Sequence, residues 1–167
     1  MIFVTVGNAT QGFIRLLGAV DTLAASGVFE PEEIFLQTGN TKNFRPMHCA
    51  HQDFLTMDEF QERMMAASLI ICHGGCGTLL HAVRLGKIPV AMPRLKKYGE
   101  HVNDHQLQIV EALACEGRVA VAREPSDLPC AIADAKRRMV PNTHVAPSRM
   151  LDLVAQAIAD LAGDCHS

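Results

Sequence analysis

Apolar residues along this chain fall into short continuous runs that alternate with longer stretches of helical spacing. Short apolar runs of this kind are expected for strands that are buried on both faces of a parallel sheet. They predict six strands, at residues 2–6, 33–38, 47–51, 69–72, 88–92 and 118–122.

The longer stretches between these runs predict helices. Thr56 and Glu59 are spaced as a capping box, in which each side chain bonds the backbone of the other, so a helix begins there. Residues 79–85 predict another helix, and two closing helices are predicted within residues 125–162. The alternation predicts an α/β fold: a Rossmann-like, doubly wound parallel sheet in one domain of residues 1–167.

The segment after the fourth run, His73-Gly-Gly-Cys-Gly-Thr78, holds three glycines within five positions. A strand, a glycine-rich turn and a helix start form an anion site, because free N–H groups and the helix dipole face the ligand. The segment is not a Walker A loop, which needs a lysine before Thr78, and Leu80 stands where a dinucleotide fingerprint needs glycine. The alternative is that the glycines only allow a tight turn.

Several other segments are predicted at the same edge of the sheet. Ligands of doubly wound sheets bind beyond the carboxyl ends of the strands. Gly7, Leu55, Pro93 and residues 99–106 all follow strands or precede helices. We therefore expect them to share one rim with the glycine turn, which favours a binding site.

Composition narrows the class of protein. The chain has 167 residues, of which 49% are apolar, and a formal net charge of −3, so a general nucleic-acid surface is not indicated. Six cysteines without a C-x-x-C pair, no signal peptide and no apolar run of ~18 residues predict a cytoplasmic protein without a membrane span. Arg94, Lys96 and Lys97 form a basic cluster, either a solvated loop or a source of charge for a diphosphate.

Four segments in order resemble the C-terminal domain of family 28 glycosyltransferases. They are Ile2-Phe-Val-Thr-Val-Gly7, Phe54-Leu55, His73-Gly-Gly-Cys-Gly-Thr78 and Gly99-Glu-His-Val-Asn-Asp-His-Gln106. The likeness covers about residues 1–122. It is greatest to the PssE-type subunits of bacterial exopolysaccharide glycosyltransferases, and the cytosolic subunit of the eukaryotic dolichol-linked N-acetylglucosamine transferase is similar.

The resemblance implies a GT-B C-terminal half domain that binds a UDP-sugar. By matching position, the donor diphosphate would lie against His73, Gly74, Gly75, Cys76, Gly77 and Thr78. The backbone of Leu55 would read uracil, and Asp104 and Gln106 would bind the donor sugar.

Two positions depart from the family's pattern. His81 stands where relatives carry a ribose-binding Glu, and the loop after Gly7 and Asn8 has Ala9-Thr10 where PssE-like chains have His-Glu. The resemblance therefore implies weaker support for a ribose contact at His81 and for a role of the first loop in orienting substrate.

The resemblance further implies one subunit of a two-component, inverting hexosyltransferase in exopolysaccharide or capsule synthesis. A membrane-anchored partner would bind the lipid-linked acceptor and hold this chain at the inner face of the membrane. No cofactor or metal is expected, and the catalytic base is unidentified, with Glu100 and His101 as candidates. The alternatives are a non-enzymatic UDP-sugar-binding enhancer or scaffold of a partner glycosyltransferase, and an unrelated α/β phosphate-binding enzyme.

Some of these residues have simpler interpretations. Thr78 is a possible helix N-cap, and Asn103 with Gln106 has the spacing of a capping-box start. His101 and His105 stand four residues apart, but neither a third ligand nor a general-base Glu accompanies them, so no zinc site is predicted. The helix at residues 148–161 either docks the partner or packs on its own sheet.

Overall fold

A computed structural model describes residues 1–139 of the chain. Its six strands form one parallel sheet in the order β3-β2-β1-β4-β5-β6. The strands are β1 (Ile2–Thr5), β2 (Ile34–Gln37), β3 (Ala50–Gln52), β4 (Leu69–His73), β5 (Val90–Met92) and β6 (Ala120–Val121). The predicted parallel sheet is confirmed, with β1, β4 and β5 in its interior.

Helices cover both faces of the sheet. The helices are α1 (Ile14–Ala25), α2 (Met57–Ala66), α3 (Cys76–Arg84), α4 (His105–Cys115) and α5 (Leu128–Arg138), and 3-10 turns lie at Lys96–Tyr98 and Pro125–Asp127. The apolar faces of α1 and α5 pack on one side of the sheet, and those of α2, α3 and α4 pack on the other. The fold is therefore doubly wound, as predicted.

Side-chain alternation along the strands divides the core into two layers. Ile2 and Val4 of β1 belong to the layer beneath α1 and α5, whereas Phe3 belongs to the opposite layer. All three are fully buried, which explains why β1 is apolar at every position. Cys72 of β4 is also fully buried and packs as a small apolar side chain.

The third strand is shorter than predicted and begins three residues later. It lies at Ala50–Gln52, on the exposed edge of the sheet, rather than at residues 47–51. The Asp21 carboxylate on α1 accepts the backbone N–H groups of Met47 (3.1 Å) and His48 (2.9 Å). These two N–H groups are therefore not available for strand pairing, and β3 begins after them.

The ends of the other strands differ only slightly from the predictions. The fifth begins at Val90 rather than at residue 88, and Pro89 before it has no N–H to give to a ladder. The sixth is only Ala120–Val121. The first closing helix is present as α5, while the predicted helix at residues 148–161 lies outside the described residues. None of the helices within residues 1–139 has the length and apolar character needed to cross a bilayer.

Candidate functional site

A cavity of about 460 Å³ opens at the carboxyl ends of β1, β2 and β4. This is within the size range of small-molecule sites, roughly 300–1,000 Å³. Eight of its lining residues are predicted site residues, namely Gly7, Asn8, Leu55, His73, Gly75, Gly77, Thr78 and His81. The fold therefore brings together the first loop, the segment before α2 and the glycine turn.

The N-terminus of α3 forms one wall of this cavity. The helix begins at Cys76 with Gly75 as its N-cap, so the alternative that Thr78 is the N-cap is wrong. Gly75 has no side chain with which to cap the helix, no other side chain within residues 1–139 takes that role, and the first turn contains no acidic residue. The first backbone N–H groups of a helix have no intrahelical acceptor, and the dipole makes this end partially positive. The wall is therefore suited to an anion.

Helix α2, at the same cavity, has the opposite arrangement. Thr56 accepts the N–H of Glu59 (3.3 Å), and the Glu59 carboxylate accepts the N–H of Thr56 (2.8 Å). This is the predicted capping box, and Asp58 adds a second negative charge to the first turn. The positive end of α2 is satisfied by its own side chains, whereas that of α3 has no such partner within residues 1–139.

The three glycines of the turn serve different purposes. A Cβ at Gly74 would lie 2.8 Å from Val110 Cγ2, so this glycine lets α4 approach the turn. A Cβ at Gly75 would overlap the imidazole of His73, whereas one at Gly77 would have no atom within 4 Å. Close contacts within the turn thus account for Gly74 and Gly75, as the alternative of a merely tight turn would have it, but they do not explain Gly77.

His73 is held between the glycine turn and the first loop. Its ring lies so near Gly7 that a Cβ there would come within 2.5 Å of Cε1, and Gly7 itself has a φ of 69°. Nδ1 lies 3.4 Å from the carbonyl oxygen of Thr5, which can only accept, so we assign the proton to Nδ1. Burial, assisted by the positive charges of Arg94 and His101, lowers the pKa of His73 to about 4. The imidazole is therefore neutral at pH 7.

Arg94 is a core residue, and both sequence-based interpretations of it were wrong. Its side chain is fully buried, so it neither belongs to a solvated loop nor reaches a ligand. The guanidinium donates to the carbonyl oxygens of Val6 (2.8 Å), Gln11 (2.8 Å), Gly12 (3.1 Å) and Glu100 (3.2 Å). It also lies over the ring of Phe13, with Cζ 4.7 Å from the centroid. Arg94 thereby ties the first loop to the segment that precedes α4, while Lys96 and Lys97 are exposed as expected.

The other wall of the cavity is largely apolar. Leu55, Met57 and Phe60 line it, and the ring of His81 meets that of Phe60 edge-on with centroids 6.1 Å apart. Such a wall is suited to the flat face of a nucleobase. Sequence reasoning missed Met57 and Phe60 as site residues, although the capping box already placed both at the start of a helix beside Leu55.

The structure does not bring Asp104 and Gln106 into the cavity. Asp104 is the N-cap of α4, and its carboxylate accepts the N–H of Lys96 at 2.8 Å. Gln106 is buried behind Gly74, and its Oε1 accepts the N–H of Arg94 at 3.1 Å. The capping-box interpretation of Asn103 with Gln106 is therefore wrong, since Asn103 accepts from His105 instead.

Glu100 and His101 also lie outside the cavity lining. The Glu100 carboxylate is buried and accepts from Arg15 Nε (2.9 Å), from Arg15 Nη2 (2.8 Å) and from the N–H of Leu95 (3.0 Å). Nδ1 of His101 accepts the N–H of Asn103 at 3.3 Å. Within residues 1–139, no group of three His, Cys, Asp or Glu side chains is arranged to hold a metal ion.

Comparison with known protein families identifies the family of this chain. The sequence model of the glycosyltransferase family 28 C-terminal domain matches residues 1–150. The chain belongs to this family. The sequence resemblance to this family is thus confirmed.

One curated relative is the UDP-N-acetylglucosamine transferase subunit ALG13 of Yarrowia lipolytica. It is 29% identical over 122 residues, which is 68% of this chain and 60% of the relative. This family 28 domain therefore spans less than two thirds of the relative's length.

Two solved structures share the fold. They are MurG of Acinetobacter baumannii (19% identity, TM-score 0.53) and the glycotransferase of kitacinnamycin (15% identity, TM-score 0.57). The likeness covers 94% and 96% of this chain but only 49% and 40% of those proteins. This family 28 domain thus corresponds in fold to less than half of each GT-B glycosyltransferase.

Proposed function

We propose that this protein is the donor-binding subunit of a two-component, inverting glycosyltransferase that takes its sugar from a UDP-sugar. The observation that carries the proposal is the uncapped N-terminus of α3 in the wall of a 460 Å³ cavity. The family assignment supports a transferase, and the name of the ALG13 relative supports a UDP-sugar donor and a role as a subunit.

The donor lies across the cavity in this proposal. Its diphosphate accepts hydrogen bonds from the backbone N–H groups at the start of α3, beside Gly77 and Thr78. The uracil packs in the apolar wall against Leu55 and Phe60, and the ribose lies near His81. The sugar extends toward α4, where Asp104 and Gln106 would have to leave their hydrogen bonds to the N–H groups of Lys96 and Arg94 to reach its hydroxyl groups.

The backbone N–H groups at the start of α3 would also assist the transfer reaction. When the bond from the anomeric carbon to the diphosphate breaks, the electron pair stays with UDP, and negative charge develops on the leaving oxygens. Preorganised N–H groups and a helix dipole stabilise that charge at their fixed positions. We therefore propose that the transfer needs no metal. The acceptor hydroxyl attacks the opposite face of the anomeric carbon and loses its proton to a base.

We propose that the partner supplies this base. His73 has too low a pKa to serve efficiently near pH 7, and the Glu100 carboxylate is already bonded to Arg15 and Leu95. A GT-B enzyme acts in a cleft between two such domains. The partner would then carry the second domain, the membrane anchor and the site for a lipid-linked acceptor in exopolysaccharide or capsule synthesis, and it would hold this subunit at the cytoplasmic face.

Binding is tested first. Isothermal titration of the full chain with UDP, ADP and inorganic pyrophosphate should show binding of UDP in preference to ADP. Equal affinity for UDP and ADP would leave a phosphate site but would end the UDP-sugar proposal.

Transfer is tested next, with a partner that contains one membrane segment and a second Rossmann-like domain. The two chains together should move radiolabelled sugar from a UDP-sugar to a lipid-linked acceptor, and neither alone should. Robust transfer by this chain alone would refute the two-component proposal. Partner activity that survives loss of UDP binding here would identify this chain as a non-enzymatic enhancer.

A further inference from the structure

Three side chains at the carboxyl ends of β1 and β2 form a relay that leads into the cavity. The Thr5 hydroxyl donates to Gln37 Oε1 at 2.5 Å, and Gln37 Nε2 donates to Asn8 Oδ1 at 3.3 Å. Thr5 is fully buried and Gln37 is 4% exposed, whereas Asn8 is exposed and lines the cavity beside Gln37. The relay therefore connects the core of the sheet to a group that a ligand can touch.

The direction of the relay follows from hydrogen-bond chemistry. The Thr5 oxygen already accepts the N–H of Gly7 at 3.2 Å, so its own hydrogen needs a buried acceptor. The oxygen of the Gln37 amide can be that acceptor and the nitrogen cannot. A separation of 2.5 Å also fits an O–H···O bond and is too short for N–H···O. Oε1 thus faces Thr5, and Nε2 faces Asn8.

The orientation of Asn8 follows in turn. Because Gln37 presents a donor, Asn8 must present its acceptor Oδ1 to Gln37 and turn its NH₂ group away. We propose that Gln37 is a positioning residue, which holds the Asn8 amide so that its NH₂ group donates to the diphosphate of the donor. The inference rests on the proposed function, because it assigns one contact in the same site.

The relay also explains why position 37 is a glutamine and position 5 a threonine. Glutamate at position 37 would offer only acceptors, and Asn8 would then turn its oxygen toward the anion. Valine at position 5 would remove the hydroxyl that sets the Gln37 amide. Neither residue carries charge or belongs to a phosphate-binding motif, so sequence patterns gave no signal for them.

The test is a double-mutant cycle on the full chain. The affinities of Asn8→Ala, Gln37→Met and the double variant for UDP, inorganic pyrophosphate and uridine are measured by calorimetry. Each single variant should lose about tenfold in affinity for UDP and pyrophosphate, as expected for one hydrogen bond to a charged group. The double variant should lose no more than the weaker-binding single variant, because Gln37 acts through Asn8. Affinity for uridine should change less than about twofold in all three.

Gln108→Met is the matched control, since Gln108 is exposed on α4, and it should bind as the wild type does. A double variant whose losses multiply would show that Gln37 acts independently, and single variants with wild-type affinity would overturn the relay outright.

A second measurement does not depend on the folding of Gln37→Met. In the wild-type protein, pyrophosphate should shift the side-chain amide NMR signals of Asn8 far more than those of Gln37, and the reverse pattern would overturn the relay. If the wild-type protein bound pyrophosphate but not UDP, and both Asn8→Ala and Gln37→Met weakened that binding, the relay would stand and the proposed function would be refuted. UDP binding that both single variants retain would refute the relay alone, and binding of neither ligand would refute both.

Discussion

Gly77→Ala is a variant that should disturb phosphate binding without disturbing the packing of the protein. It therefore tests whether the diphosphate lies at the start of α3. Gly77 lies in the first turn of α3, where Cα–Cβ bonds tilt toward the helix N-terminus and hence toward the cavity. A methyl group there would meet no protein atom within 4 Å, so it costs no packing energy. It would instead occupy the space through which a phosphate reaches the backbone N–H groups.

The two effects have opposite signs. Replacing a helical glycine by alanine reduces the entropy of the unfolded chain, so stability should rise by about 0.5 kcal/mol. For a domain of this size that raises the Tm by roughly 1–2 °C. Affinity for UDP should fall about tenfold for each charge-assisted hydrogen bond that the methyl group prevents. A variant that is more stable yet binds more weakly cannot be explained by partial unfolding.

Gly18→Ala is the matched control. Gly18 lies within α1, and a Cβ there would be 3.9 Å from Phe44, an ordinary contact. Gly18→Ala should gain similar stability in thermal melts and keep full UDP affinity in calorimetry. If folded Gly77→Ala also kept full affinity, the phosphate would not lie at the start of α3. Gly75 is unsuitable for this test, because a side chain there collides with His73 whether or not a ligand binds.

Three further variants or conditions test the surroundings of the site. Arg94→Met should lower the free energy of unfolding, measured in urea, by about 3 kcal/mol, because buried carbonyl oxygens lose their donor. The control Lys96→Met should stay within about 0.5 kcal/mol of wild type. Equal effects of the two variants would contradict the core role of Arg94. The His73 pKa of about 4 lies below the unfolded value of 6.5, so the unfolded chain binds the extra proton between these values. As the pH falls from 6.5 to 4, the free energy of unfolding of the wild type should therefore fall by about 3 kcal/mol relative to that of His73→Asn, and above pH 6.5 it should stay level. If the difference between the two proteins did not depend on pH, the pKa of His73 would be normal. EDTA should leave UDP affinity and reconstituted transfer unchanged, and a strict need for a divalent ion would mean that N–H donors alone are insufficient.

The sheet and the cavity were predictable because their signals are local. Continuous apolar runs indicate strands buried on both faces, and parallel strands place their following loops at one edge. That geometry alone puts Gly7 beside His73 and the glycine turn beside Leu55. The capping box of α2 needed only the spacing of Thr56 and Glu59. The edge strand β3 was misplaced because the Asp21 side chain, 26 residues before Met47, takes the backbone groups that would have paired.

Arg94 shows why a charged residue could not be placed in the same way. Sequence patterns treat arginine as exposed, since an isolated buried charge is costly. Here the charge is balanced by carbonyl oxygens from the distant loop at residues 6–12 and from Glu100, six residues further along the chain. Only the folded chain brings those carbonyl groups together. The same reason applies to Gln106, whose partner is the backbone of Arg94 rather than its own helix start.

The burial of Arg94 also determines how the site attracts an anion. Among residues 1–139, no lysine or arginine lines the cavity, and its His73 is neutral at pH 7. Arg94 is buried behind the wall, where it lowers the pKa of His73 and donates hydrogen bonds to carbonyl oxygens of the first loop. The site therefore presents oriented dipoles rather than flexible cations, and fixed dipoles need no reorganisation when charge develops on a leaving diphosphate.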